Sequence, residues 1–329
     1  MKVVITGGTG FLGLRLARRI LDMGALTAPS GETETVDALV LFDQAVPDSA
    51  VAGLDGSVDL VEGDISDRAT VERLIDRDDI SVFHLASVVS GGGEKDFDLA
   101  IRVNLDGGRH VLDALRARHS QPRLVFASSI AVFGGTAMPA SVGDTTKQTP
   151  QTTYGATKAI LELLINDYTR KGFLDGRSAR LPTVIIRPGK PNAAASGFAS
   201  AVFREPLAGD DYVLPVGPDT AMPVLGYRSI IDGLIRLHEA DGAALGDDRA
   251  VSLPALTVTV EEMVAALRRV AGNRHLGEIT IEPDPFIEAI CRTWPQDTTF
   301  EKATALGLPV DPSLDDIVRN YIEDYVEGK

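Results

Sequence analysis

The chain has 329 residues, 44% of them apolar, enough to bury one large core or a main core with a smaller one. Its net charge of −15 argues against nucleic acid or an anionic membrane surface as a partner, since both call for basic patches. A single cysteine, Cys291, excludes an intramolecular disulfide and fits a reducing compartment.

The N-terminal run goes directly into a strand-like segment, Lys2–Thr6, without a charged leader, apolar stretch and cleavage site. No stretch approaches the roughly 20 apolar residues needed to span a bilayer, so the expected location is the cytoplasm. Further strand-like runs are Ala38–Phe42, Asp59–Val61, Ser81–Ala86, Arg123–Ala127 and Thr183–Ile186. Between them the helical period recurs near Gly10–Met23, Arg68–Asp76, Asp98–Arg118 and Thr153–Lys171. Such alternation predicts a parallel sheet with helices on both faces, and wholly apolar strands suit a sheet covered on both sides. Ala28–Thr35 reads as a flexible polar insert. After Pro188 the alternation stops and Pro and Gly become frequent, which predicts a smaller lobe over the strand ends. Its helices are expected near Ser229–Ala240, Val260–Ala271 and Leu314–Val326.

The strongest local signal is Thr6-Gly7-Gly8-Thr9-Gly10-Phe11-Leu12-Gly13, directly after a strand and opening a helix. Gly7 allows the tight turn, Gly10 lets backbone N–H groups approach a pyrophosphate, and Gly13 lets the helix pack against the sheet. Phe11 and Leu12 contribute to the helix end that faces the anion. Asp43 ends the next strand, where a carboxylate can accept hydrogen bonds from both ribose hydroxyls and would repel a 2′-phosphate. No Lys or Arg follows it closely, so the expected cofactor is NAD. Asp43 lies further from Gly13 than the usual spacing of about 20 residues, and the insert explains the excess. Asp64 and Ile65 follow the third strand, and Leu85, Ala86 and Ser87 the fourth; both sit where strand ends meet a dinucleotide. His84 is expected to pack within its strand.

Tyr154 and Lys158 stand four apart near a helix start, so they share a face. A free phenol has a pKa of about 10. A cation about 4 Å away, at an effective dielectric of about 20, supplies the several kcal/mol needed to make it a base near neutrality. Ser129, at the end of the fifth strand, can donate to a substrate oxygen while Tyr154 takes its proton.

Together these residues resemble the extended short-chain dehydrogenases/reductases, in the NAD-dependent epimerase/dehydratase branch, across almost the whole chain. The resemblance implies an α/β, Rossmann-type doubly wound parallel sheet with a smaller C-terminal substrate lobe. Residues 1–188 would bind the cofactor. Residues 189–329 would mainly bind substrate, with some segments returning to the main domain. It implies Ser129, Tyr154 and Lys158 as the catalytic set. Tyr154 and Lys158 would also touch the cofactor, Asn104 would lie near the active-site water and backbone, and Arg187-Pro188-Gly189 would run by the nicotinamide amide. Phe133 stands where the family's strand-end run has a tyrosine, and it is not the base. A homodimer through the helices around Asp98–Arg118 and Thr153–Lys171 is implied as well.

Three runs narrow the resemblance to the D-erythronate dehydrogenases, which oxidise C2 of that sugar acid with NAD. They are His84-Leu85-Ala86-Ser87-Val88-Val89-Ser90-Gly91, the run from Arg187 to Phe198, and Leu314-Asp315-Asp316-Ile317-Val318. A sugar-acid substrate brings a carboxylate, for which Arg228 is the first candidate, ahead of Lys190 and Arg204. Ser90 and Ser200 would supply hydroxyls, with Ser129 and Tyr154 at the reacting carbon. No metal is expected. A nucleotide-sugar epimerase or dehydratase holding NAD tightly would share this catalytic set. A non-catalytic NAD-binding regulator would have no use for the Tyr–Lys pair.

Overall fold

The computed structural model describes residues 1–47, 54, 58–189 and 195–327. Seven strands form one parallel sheet. From one edge to the other they are Ala250–Ser252, Asp175–Leu181, Arg123–Ser129, Ile80–His84, Lys2–Thr6, Ala38–Asp43 and Val58–Glu62. The chain builds outward from Lys2–Thr6 in one direction, then returns to its other side with Ile80–His84 and builds the opposite way. The carboxyl ends of Thr6 and His84 therefore flank the crevice where strand order reverses, the usual place for a ligand in a doubly wound sheet.

Apolar spacing puts Leu16, Ala17 and Ile20 of the Phe11–Met23 helix against one face of the sheet, together with Ile230, Leu234 and Leu237 of the Tyr227–Glu239 helix. The other face is covered by Val71 and Leu74, by Val111, Leu112 and Leu115, and by Leu161 and Ile165 of the Thr153–Arg170 helix. A second core joins Phe198, Val202 and Phe203, Met263 and Leu267, and Ile317 and Val318. It sits beside a three-stranded sheet of Thr183–Ile185, Ala221–Gly226 and Leu256–Thr259. Among the described residues no helix is long and apolar enough to cross a membrane.

Three local expectations need correction. The sixth strand of the main sheet is Asp175–Leu181, and Thr183–Ile185 belongs to the smaller sheet. The sequence Asp-Gly-Arg-Ser-Ala-Arg-Leu looks too polar for a buried strand, yet Arg177 is fully buried and Arg180 nearly so. Arg177 donates to the carbonyls of Leu237, His238 and Ala240, which satisfies the end of the Tyr227–Glu239 helix. The polar insert is an antiparallel hairpin, Ala25–Thr27 with Thr33–Thr35, and Thr27 is held by Glu239. The segment around Asp98–Arg118 is α-helix only in part, because Ile101–Asp106 is π-helical.

Candidate active site

The glycine loop closes tightly against the strand ends. Gly7 has φ +69°, and a Cβ there would lie 2.9 Å from the Ala86 nitrogen. A Cβ on Gly13 would lie 2.4 Å from the Gly7 carbonyl oxygen, so any side chain would fill the cradle and push the helix from the loop. No side chain caps the helix that starts at Phe11, so its first-turn N–H groups remain available to an anion. Phe11 packs edge-on to Tyr227 at 5.3 Å, and Leu12 is partly buried beside it. Asp43 stands at the end of its strand and accepts from the backbone nitrogens of Thr9, at 3.2 Å, and Gln44, at 2.8 Å. This cradle, open helix end and terminal acid fit an adenine dinucleotide with a free ribose 2′-hydroxyl.

Most of the other expected cofactor residues follow the ends of neighbouring strands of the main sheet. Asp64 is exposed and holds Ser66, whose N–H and hydroxyl keep its carboxyl below the ordinary range. Ile65 is buried beneath Gly107. Leu85 and Ala86 donate their N–H groups to the Thr6 carbonyl and hydroxyl, which aligns that backbone along the crevice. The Ser87 hydroxyl donates to the Val88 carbonyl. Asn104 is buried and clamps Val88 from both sides, accepting from its N–H at 2.7 Å and donating to its carbonyl at 3.0 Å. Both ends of that amide are spent on backbone, as a residue shaping the crevice wall requires. Pro188 is half-buried just past the Thr183–Ile185 strand. His84 is buried, hydrogen-bonded to Thr6 and stacked on Phe126, and burial drives its imidazole down to about 3. It packs as expected.

Ser129, Tyr154 and Lys158 come together from two elements. Thr152 caps the Thr153–Arg170 helix by accepting from the Gly155 nitrogen, and this fixes where Tyr154 begins its first turn. Tyr154 and Ser129 line the same cleft, close enough for the serine hydroxyl to favour the ionised phenol. Lys158 is buried one turn later and donates to the Ala127 carbonyl at 2.7 Å. Its Nζ lies 5.3 Å from the Tyr154 ring centre and 4.7 Å from that of Phe126. Burial draws the ammonium down to about 7, with Glu162 pulling the other way. The phenol departs from the simple expectation. Burial raises Tyr154 above the ordinary tyrosine value, while Ser129 and then Arg187 work to lower it. The serine hydroxyl and the Arg187 cation offset part of the phenol's desolvation but do not overcome it.

Ser129 and Tyr154 open onto a cleft of about 170 Å³ between the two cores. Its wall includes Ser90, Gln151, Thr183, Arg187, Met222 and Trp294. Arg228 is not part of that wall. Its guanidinium is spent on Asn320, Glu323 and Asp324, so it ties the Tyr227–Glu239 helix to the C-terminal helix. The expectation that Arg228 receives a substrate carboxylate is therefore corrected, because its donors already face acids away from the cleft. Among the described residues Arg187 is the cation that lines it, and burial and neighbouring Arg204 hold its guanidinium below the ordinary range. The family resemblance implies a role only for the Arg187 backbone; the apolar run Val184-Ile185-Ile186 just before it is the signal in the sequence for a side chain held at a core edge. Ser200 and Arg204 also stand back from the cleft wall. The Ser200 hydroxyl accepts from the Arg187 nitrogen at 3.1 Å, and Arg204 donates to the Arg187 carbonyl at 3.0 Å. Lys190 lies outside the described residues.

Comparison with known proteins agrees with this geometry. Residues 3–240 match the NAD dependent epimerase/dehydratase family. The chain is 48% identical over 325 residues to a D-erythronate dehydrogenase of Cupriavidus necator, covering 98% of both chains. It is 38% identical to a D-erythronate dehydrogenase of Haemophilus influenzae, covering 98% of this chain and 99% of that one. A crystal structure from Agrobacterium tumefaciens, described as a nucleoside-diphosphate-sugar epimerase, superposes with a TM-score of 0.91 at 41% identity. That match covers 100% of this chain and 95% of the other. The chain belongs to the NAD-dependent epimerase/dehydratase family of extended short-chain dehydrogenases/reductases and is an NAD-dependent oxidoreductase.

Proposed function

We propose that this protein oxidises the C2 hydroxyl of a small sugar acid, D-erythronate, to the 2-oxo acid. The observation that carries the reading is a single cleft holding the Ser129–Tyr154 pair and, on its wall, the guanidinium of Arg187. One feature serves a hydroxyl to be deprotonated and the other a carboxylate. The two D-erythronate dehydrogenases, alike over nearly the full chain, support the substrate.

Residues 1–188 serve as the cofactor-binding domain in this reading, and residues 189–329 mainly as the substrate lobe. Gly7, Gly10, Phe11, Leu12 and Gly13 cradle the pyrophosphate, and Asp43 holds the adenosine ribose. When bound, NAD⁺ supplies the hydride acceptor. Ser129 donates a hydrogen bond to the reacting oxygen and Tyr154 receives its proton. Arg187, and Lys158 one turn along the helix, favour the ionised phenol and offset part of the desolvation that opposes it. Arg187 also orients the carboxylate, with Ser90 offering a hydroxyl from the opposite side of the sequence. The exposed apolar side chains of Phe97, Ile160 and Leu163 lie on the helices the family uses for pairing, which supports a homodimer.

The Agrobacterium likeness favours a second reading, epimerisation of a nucleoside-diphosphate sugar. A diphosphate needs several donors, whereas Arg187 is the one cation among the described residues of the cleft wall. NADH absorbance with purified protein, NAD⁺ or NADP⁺, and D-erythronate, L-erythronate and the threonates tests both. Turnover of D-erythronate with NAD⁺ is expected. Failure with every sugar acid, together with interconversion of a nucleotide sugar, would replace the first reading by the second.

A further inference from the structure

Beneath the catalytic pair lies a buried charge cluster that the reaction itself does not use. Glu162 is 1% exposed and stands one helical turn after Lys158, on the same face of the Thr153–Arg170 helix. Its carboxylate accepts from three separate parts of the chain. Arg180 donates through Nε, at 3.1 Å to each oxygen, and through Nη2 at 2.8 Å. The Ser128 hydroxyl and the Gln148 amide also donate to it. Ser128 and Arg180 are direct neighbours across the Arg123–Ser129 and Asp175–Leu181 strands. One carboxylate thus joins the helix, two strands and the loop before the helix.

The position of this knot matters more than its charge. Lys158 grips the carbonyl of Ala127, and Glu162 grips the hydroxyl of the next residue, Ser128. Successive turns of the helix hold successive residues of the strand. The residue after those is Ser129, whose side chain leaves the strand on the opposite side from that of Ser128. A slip of the helix along the strand would part Tyr154 from Ser129. A buried ion pair is seldom retained for stability, since apolar side chains of similar volume serve that purpose equally well. What it adds is a fixed geometry that apolar contacts leave loose.

We propose that Glu162, clamped by Arg180, Ser128 and Gln148, is a positioning residue that sets the register of Tyr154 and Lys158 against Ser129. The assignment rests on the oxidoreductase reading of that set. Glu162 also faces Lys158 electrostatically and helps retain its proton, which is consistent with the same role.

Replacing one partner would strand a buried charge, so the informative protein is the double variant Glu162→Met/Arg180→Met, which removes both charges and keeps most of the volume. Its melting temperature, kcat, KM and NAD⁺ affinity would be measured on the full-length protein. The expected result is a folded protein whose kcat for D-erythronate falls at least tenfold while its KM stays within about threefold. A folded double variant with unchanged kcat overturns the clamp. If the double variant does not fold, Glu162→Asp keeps the charge and shortens its reach by one methylene; kcat must then fall at least fivefold, and an unchanged kcat overturns the proposal. If wild-type protein turns over no sugar acid, the function reading fails by itself. The clamp is then judged by NAD⁺ binding, expected to weaken about fivefold through displacement of Lys158, with unchanged affinity counting against it.

Discussion

The crevice at the strand ends and the cleft beside it are built in different ways. The crevice is mainly backbone. A glycine loop, an uncapped helix end and the backbone of Leu85 and Ala86, held by Thr6, form its surface, and Asp43 adds one carboxylate. The cleft is mainly side chain, and its wall draws on residues as distant in sequence as Ser90, Tyr154, Arg187, Met222 and Trp294. A surface made of backbone suits a cofactor that stays the same for every substrate. A surface made of side chains from separate segments can change which substrate it accepts without disturbing the first.

The contrast is sharpest at Tyr154, the residue proposed to receive the proton. Tyr154→Phe should lower kcat by about 10²–10⁴, the usual worth of a positioned general base. NAD⁺ affinity should stay within a few-fold, measurable by titration calorimetry. A large loss of cofactor affinity would mean that the two regions are not independent at this residue. Next in size is Arg187→Met. Losing a charge-assisted hydrogen bond of about 1.5–3 kcal/mol should raise the sugar-acid KM by roughly 10–100-fold, with NAD⁺ affinity preserved. Arg228→Met is its control. That cation serves Glu323 and Asp324 on the C-terminal helix, so KM should move less than about twofold, with a loss of stability of about 1 kcal/mol or less. A large KM change at Arg228 and none at Arg187 would reverse the assignment of the cleft. Smallest is Asp43→Asn, which should reduce the preference for NAD⁺ over NADP⁺ by about tenfold and leave the sugar-acid KM unaltered. Comparing kcat/KM for the two cofactors checks it.

The same difference governs how much could be read from the chain. The loop from Gly7 to Gly13, the end acid Asp43 and the Tyr154–Lys158 spacing are each local, so their chemistry is written in consecutive residues. The first five strands of the sheet were legible because they are continuous apolar runs. The sixth, Asp175–Leu181, was not, because Arg177 and Arg180 are charges whose partners lie on the Tyr227–Glu239 helix and at Glu162. Burial of a guanidinium is decided by acceptors that only the folded chain supplies. Arg228 and Arg187 look equally suitable as linear residues, each beside a predicted element end. Only packing determines that one meets two acids and the other meets the cleft.

The short strand Ala250–Ser252 has a wider meaning for how such a protein changes over time. It leaves the C-terminal part of the chain to pair with Asp175–Leu181 at the edge of the main sheet, and the Tyr227–Glu239 helix returns to cover that sheet and to receive Arg177. A recombinant joined after residue 188 to a foreign partner would inherit an unpaired sheet edge and a buried guanidinium stripped of its three carbonyl acceptors, both of which favour aggregation over folding. The two halves are woven together and are inherited together. New substrate preferences in this architecture should therefore arise by replacing individual cleft residues within an intact chain, and seldom by exchanging whole lobes between relatives.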